Sequence, residues 1–172
     1  MNHFGKKVHY KDWDFDSVKE RDFFIQFIES SGKKFKVHPS YKVVDKFPVG
    51  GYNQRGITYA PDFVVFDDEG AIAHVYDVKT GINQRAVDTA AKLRFKLFSL
   101  KTGLPVEVVV PRKHDFKMAI LGLSSNSVLD KHAKRDRHGN VKHYKRTGNV
   151  QYDHYNVYHS INYDIRDIVG SK

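Results

Sequence analysis

A chain of 172 residues with 40% hydrophobic and 13% aromatic residues is the size of one ordinary domain and carries enough apolar side chain to bury a core. It contains no cysteine, which excludes disulfides, zinc ribbons, iron-sulfur clusters and thiol catalysis and leaves oxygen or imidazole to hold any metal. A net charge of +9 points to a polyanionic partner, and the surplus is concentrated: residues 1–110 carry 17 Lys/Arg against 14 Asp/Glu, and residues 111–172 carry 12 against 6.

No stretch approaches the ~18 uninterrupted apolar residues of a membrane span, and Met1 to Lys11 is polar and basic, unlike a secretion signal. The expectation is one soluble, cytoplasmic domain, residues 1–172, with a core over about 14–125 and a basic, Tyr-rich extension over about 126–172.

After a loose start, Ser17 followed by Glu20 reads as a capping box that opens a helix ending at Gly32, with Phe23, Phe24, Phe27 and Ile28 as its apolar stripe. Tyr41 to Phe47 reads as a strand broken by Pro48-Val49-Gly50-Gly51. Ile57 to Asp67 and Ala71 to Thr80 read as two strands joined by the turn Asp68-Glu69-Gly70, both apolar on each face and so central in a covered sheet. Gln84 to Thr102 is a second helix ending at Gly103, and Val106 to Val110 a short apolar strand. The order α-β-β-β-α-β implies an α/β fold with a mixed β-sheet flanked by helices, since the hairpin is antiparallel and the second helix permits a parallel crossover. Met118 to Leu123 adds a further strand.

With Glu69 and Gly70 as the central turn residues, antiparallel pairing sets Phe66 against Ala73, Val64 against Val75 and Asp62 against Asp77. The two carboxylates then face each other on an apolar face, which is unfavourable unless a cation lies between them. Lys79, two residues beyond Asp77, shares that face. Glu20 falls on the buried stripe of the first helix and needs a partner there; as a capping-box acid it is also explained without a metal.

Pro61-Asp62, 14 residues, then Asp77-Val78-Lys79 resembles the PD-(D/E)xK nuclease signature, here preceded by a helix with an acidic residue. A closer resemblance is to small phage and prophage endonucleases of the Holliday junction resolvase-like group. It rests on Asp16-Ser17-Val18-Lys19-Glu20, Tyr59-Ala60-Pro61-Asp62-Phe63, Tyr76-Asp77-Val78-Lys79 and Leu93-Arg94-Phe95-Lys96-Leu97-Phe98, over about residues 14–110. The departures are Asp77 where Glu is commoner and Arg94 where the closer group has Lys.

The resemblance implies a restriction-endonuclease-like core and Mg2+-dependent hydrolysis of DNA phosphodiester bonds, with Mn2+ as a substitute, in a phage- or prophage-encoded protein acting on branched DNA in a bacterial host's cytoplasm. In that scheme Asp62, Asp77 and the Val78 carbonyl bind metal. Glu20 binds metal or orients water, and Lys79 positions or helps deprotonate the attacking water. Hard oxygen donors suit Mg2+ on chemical grounds as well. A homodimer is expected because a junction presents two strands for symmetric cuts.

Arg85, Thr89, Lys92 and Lys96 fall on one face of the second helix, a row suited to DNA phosphates or simply to solvent, and Lys96 matches the group's motif. The run Lys131, Lys134, Arg135, Arg137, Lys142, Lys145, Arg146, with Asp136 as its one acid, is either a flexible loop or a basic arm that grips a duplex backbone. The ten histidines show no HExxH or other zinc spacing. Two alternatives to the junction nuclease remain: a non-cleaving nucleic-acid-binding protein, and a sequence-specific restriction or repair nuclease.

Overall fold

The computed structural model describes residues 7–125 and 127–170. The segment read as a loose start forms a hairpin of β1 (Val8–Tyr10) and β2 (Trp13–Phe15), in which Tyr10, Trp13 and Phe15 pack against the core. Ser17 then caps α1 (Val18–Phe23), its Oγ accepting from Glu20 N–H at 3.2 Å. The helix continues through a π turn, Phe24–Ile28, and a 3-10 turn, Glu29–Ser31, and stops at Gly32 with φ of 69°. The wider π turn reduces the angle between successive residues, so Phe24, Phe27 and Ile28 join Phe23 in facing the sheet.

The strands that follow are β3 (Phe35–Val37), β4 (Tyr41–Val44), β5 (Phe47–Val49), β6 (Tyr52–Gln54), β7 (Ile57–Tyr59), β8 (Phe63–Phe66) and β9 (Ile72–Val78). After them come α2 (Thr89–Thr102), β10 (Glu107–Pro111), β11 (Phe116–Ile120), β12 (Lys131–Ala133), β13 (Tyr152–His154), β14 (Asn156–Tyr158) and α3 (Arg166–Val169). The main sheet is mixed and six-stranded, in the order β14-β11-β10-β9-β8-β3. Its β9–β10 pair is parallel across the α2 crossover, and its other pairs are antiparallel. Among the described residues no helix is long and apolar enough to cross a membrane.

The predicted order α-β-β-β-α-β therefore runs through α1, β3, β8, β9, α2 and β10, but with a different first strand. The Tyr41–Phe47 run supplies β4, which leaves the main sheet and pairs with β7. The long run from Ile57 breaks at Ala60-Pro61, because proline has no N–H to continue a ladder. The second helix starts at Thr89, not Gln84. Asn83 Oδ1 accepts from the N–H groups of Arg85 and Ala86 in a turn, and Asp88 caps the helix by accepting from Ala91 N–H. Arg85 thus lies off the helix and out of the row with Lys92 and Lys96.

The hairpin between β8 and β9 decides where the acids go. Its turn holds three residues, Asp68-Glu69-Gly70, instead of the two central residues Glu69-Gly70: Asp67 N–H donates to Ala71 C=O, Asp67 Oδ1 accepts from Glu69 and Ala71 N–H, and Gly70 takes φ of 86°. Phe66 accordingly pairs with Ile72, not Ala73. A β-bulge then inserts Ala73, and beyond it Val65 faces His74, Val64 faces Val75 and Phe63 faces Tyr76. The bulge restores the register on which the predicted Asp62–Asp77 juxtaposition depends.

Two cores sandwich the sheet. Phe23, Phe24 and Phe27 of the first helical segment pack with Phe63, Tyr76, Val109 and Phe116 on one face. Phe95 and Phe98 of α2, with Tyr59, pack on Val64, Val75 and Val108 on the other. The C-terminal extension is anchored to this body by β14, which pairs with β11, and by Glu107, 0% exposed. Its carboxylate accepts from Tyr163 Oη–H, from His74 Nδ1–H at 3.1 Å and from Val75 N–H at 3.2 Å, so a fully buried acid is satisfied by three donors.

Phe23 meets the rings of Phe27, Phe63, Tyr76 and Phe116 at centroid distances of 5.2–6.1 Å. Phe23→Ala is expected to cost about 3–5 kcal/mol in urea unfolding, whereas Val18→Ala at an exposed site on the same helix changes stability by about 0.5 kcal/mol or less.

Candidate active site

Asp62 directly precedes β8 and Asp77 is the penultimate residue of β9. Val64 and Val75, two residues inward on each chain, are cross-strand partners whose side chains join the core on the α2 face. Alternation along each strand puts Asp62 and Asp77 on that same face. Asp77 is 5% exposed; its Oδ2 accepts from Tyr59 Oη–H at 2.9 Å. Its Oδ1 lies against Lys79 Nζ in an ion pair. Asp62 Oδ2 accepts from Val78 N–H at 2.5 Å, so Val78 enters the site through its N–H.

The electrostatics join four of the predicted residues. Packing around the Asp62 carboxyl pushes its pKa well above the usual carboxylate range, and the charges of Asp77 and Glu20 push it further, against the opposing pull of Lys79 and the Val78 N–H. At Lys79 burial lowers the pKa, but Asp77, Asp62 and Glu20 together outweigh it and hold the ammonium above its ordinary value. Burial and the adjoining Asp77 carboxylate raise the Tyr59 phenol far beyond its normal range, so it acts only as a donor to Asp77.

Glu20 reaches this group from the rim. Phe23 of α1 and Phe24 and Phe27 of the π turn cover the opposite face of the sheet, so the carboxylate pair does not lie beneath the first helix. Glu20 sits in the first helical turn, 3% exposed; its Oε2 accepts from Asp16 N–H at 3.0 Å, and its Oε1 accepts from His38 Nε2–H at 2.5 Å. One buried side chain thus holds both the start of the helix and His38.

His38 was not singled out from sequence, although it links Glu20 to Asp62: its ring meets Glu20 and its backbone N–H donates to Asp62 C=O at 3.0 Å. It has φ of 48° and precedes Pro39, a conformation doubly disfavoured for a residue with a side chain. Its sequence context, Phe35-Lys36-Val37-His38-Pro39, carries no motif that marks it. Single ligand atoms of Asp16, Glu20 and His38 lie within 4.8 Å of one another, a second set of donors with metal-ligating chemistry beside the aspartates.

The predicted DNA contacts divide. Thr89, Lys92 and Lys96 line one cavity beside α2, and Lys96 lies over Gly122, where an added Cβ would stand 3.0 Å from its Cε. The segment Lys131–Arg146 is tied together by backbone hydrogen bonds and isolated bridges. Lys134 N–H donates to Gln151 C=O, Lys142 N–H to Lys134 C=O, and isolated bridges join Arg135 to Val141 and His143 to Val150. Within it Lys134 pairs with Asp153 at 3.2 Å, Arg135 donates to Gly139 C=O and Arg137 to His138, while Lys145 and Arg146 line an open cavity.

A family model described as "Protein of unknown function (DUF1064)" matches residues 2–111. The chain belongs to the DUF1064 family. No curated protein and no solved structure matches it. The DUF1064 match takes in Glu20, His38, Asp62, Asp77 and Lys79 and ends with β10, so the acid-lysine group lies wholly within the family's portion and the basic extension wholly outside it.

Half-burial opposes the charge on His38, but the Glu20 hydrogen bond outweighs it and raises the imidazole above its ordinary pKa of 6.5. A raised folded-state value means that the pair stabilises the metal-free protein fully below about pH 6.5 and loses that contribution as pH climbs through the folded pKa. Melting temperatures in EDTA should show that decline for the parent protein, and His38→Gln should flatten it.

Proposed function

We propose that the protein is a divalent-cation-dependent endonuclease that hydrolyses DNA phosphodiester bonds on a restriction-endonuclease-like core. The observation that carries this reading is the convergence of Asp62 and Asp77, with Lys79 and Glu20 in electrostatic contact, on one face at the end of the β8–β9 hairpin. Three carboxylates set against one lysine and one histidine leave uncompensated negative charge, and Asp62 is held far from its normal ionisation. A hard dication suits that donor set of carboxylate oxygens.

Asp62 and Asp77 would hold the cation, with Glu20 and the Val78 carbonyl completing the set. Mg2+ or Mn2+ supplies Lewis-acid polarisation of the phosphate and lowers the pKa of bound water. Lys79, fully charged and tethered by Asp77, offsets negative charge that grows on the phosphate as a nucleophile adds. Tyr59 fixes the orientation of Asp77 through its hydroxyl, and Val78 N–H does the same for Asp62. Branched DNA as substrate and phage or prophage encoding follow from the resemblance to resolvase-like endonucleases. A second reading, a DNA-binding protein that does not cut, is favoured by one feature: Lys79 already engages Asp77.

The deciding experiment incubates the protein with duplex, single-stranded and four-way-junction DNA in Mg2+, Mn2+ or EDTA. Cleavage is expected only with metal, and Asp77→Asn and Lys79→Ala should each lower its rate by about 100-fold or more, in line with the several kcal/mol that such charge stabilisation supplies. Binding with no cleavage on any substrate would select the second reading, and cleavage that survives both substitutions would remove these residues from the chemistry.

Cation binding is separable from turnover. Mg2+ at about 100 times its dissociation constant should stabilise the parent protein by about 2.7 kcal/mol in calorimetry. Asp62→Asn/Asp77→Asn should abolish that increment. Equal stabilisation of parent and variant would place the cation elsewhere.

A further inference from the structure

The basic extension carries a feature that a duplex clamp does not need. A cavity of about 850 Å³ opens beside β12 and β13, lined by Lys131, Tyr144, Lys145, Arg146 and Tyr152 among others. Tyr144 is 54% exposed, and among the described residues it has no ring or cation partner, whereas Tyr152 has Lys131 Nζ at 3.9 Å from its centroid and Tyr155 is stacked on His132. A large aromatic ring left open to solvent between cations offers a π-face together with positive charge. A phosphodiester chain with unpaired bases supplies the matching pair of groups.

The turn that carries the ring is held in place. Tyr144 N–H donates to Asn149 C=O and Gly148 N–H to Tyr144 C=O, each at 2.8 Å, closing the turn that carries Lys145 and Arg146. His143 Nδ1–H donates to Gly148 C=O at 2.8 Å and Gln151 Nε2–H to His143 C=O at 3.0 Å, which fixes both ends of that turn. A backbone fixed in advance leaves only the side-chain torsions of Tyr144 to be ordered when a base stacks on its ring.

Sheet register links the extension to the carboxylates. Asp77 pairs with Val108 and Val108 with Ala119, so Lys117, two residues before Ala119, projects from the same face of the sheet as Asp77. Lys117 stands two strands from β9, about 10 Å at ordinary strand spacing. Its ammonium lies 4.4 Å from the Tyr155 ring, in a second cavity shared with Lys131, Lys134 and Arg135. Positive charge therefore begins on the catalytic face at Lys117 and continues through Lys131 into the Tyr144 cavity. A double helix lies against a broad surface, whereas an unpaired strand can follow such a path with its bases turned into a concave site.

We propose that the C-terminal extension is a single-stranded DNA-binding site, with Tyr144 as the stacking platform and Lys131, Lys145 and Arg146 holding the backbone phosphates. The choice of DNA rests on the nuclease reading, and the site would present an unpaired strand of a branched substrate to the carboxylate face. The assignment concerns a surface outside the DUF1064 match.

The test is fluorescence anisotropy of the full chain in EDTA, with a labelled oligothymidylate, a blunt duplex of equal length and an oligouridylate. The oligothymidylate should bind at least about 10-fold tighter than the duplex. Tyr144→Ala should weaken it about 10-fold, while Tyr144→Phe, which keeps the ring, stays within about 2-fold. Lys145→Ala/Arg146→Ala should reduce the dependence of log K on log salt by about 1.4.

Tyr144→Ala binding like the parent, with unchanged circular dichroism, would overturn the proposal. So would equal or tighter binding of the duplex, which would make the surface a duplex clamp, or preference for the oligouridylate, which would make it an RNA site. Because no metal is present, the two readings fail separately. Tyr144-dependent oligothymidylate binding without cleavage in Mg2+ sinks the nuclease and leaves this site standing, and metal-dependent cleavage with Tyr144-insensitive binding does the reverse.

Discussion

The bulge at Ala73 sets the parity of every side chain between the turn and the end of β9. Asp67 and Ala71 close the turn and Phe66 faces Ile72; continued without interruption, that register would set Asp62 opposite Tyr76. Asp77 would then lie on the other face from Asp62, because side chains alternate with a period of two. One inserted residue shifts the pairing so that both valines of the Val64–Val75 pair face α2, and both aspartates with them. Lys79 keeps the same parity because its N–H still donates to Val109 C=O, which extends the β9–β10 ladder past the formal strand end.

What the register brings together, electrostatics resists. Burying one carboxylate beside another costs free energy that the hydrophobic cores must offset, and Asp62 carries much of it. The protein answers with donors at nearly every oxygen: Tyr59 and Lys79 at Asp77, Val78 N–H at Asp62, and His38 and the Asp16 N–H at Glu20. Such placement fixes the side chains in advance, as the proposed chemistry by positioned charge would require. The left-handed backbone of His38 belongs to the same pattern, a local strain held by hydrogen bonds at each end of the residue.

Much of this was legible in the chain because its signals are local or periodic. Ser17 with Glu20 announced the helix start, Gly32 its stop, and the alternation around Asp62 and Asp77 the strands whose faces they share. The predicted turn at Glu69-Gly70 was one residue too short and missed the bulge; the two departures cancel in parity, so the two acids still share a face. What was not legible depends on distant contacts. The three-residue β3 carries too short an apolar pattern to stand out, and its place beside β8 is fixed only in the assembled sheet. Arg85 was misplaced because Asn83 and Asp88 compete with the helix for its first turn. His38 enters through a chain reversal between two strands that local sequence does not encode. The sequence left the basic run as either a loop or an arm because its backbone bonds, between segments such as Lys134, Lys142 and Gln151, follow no period.

The attachment of the extension by β14 has a further consequence for the sheet itself. β11 would otherwise be its outer strand, with apolar residues such as Met118 and Ala119 beside a row of unpaired amide and carbonyl groups, the arrangement that recruits other chains into edge-to-edge association. Three residues, Asn156–Tyr158, close that edge. The segment that supplies the basic surface is thus also the guard of the sheet's solubility, and sequence change in its cavity is free only as long as the guard strand stays in register.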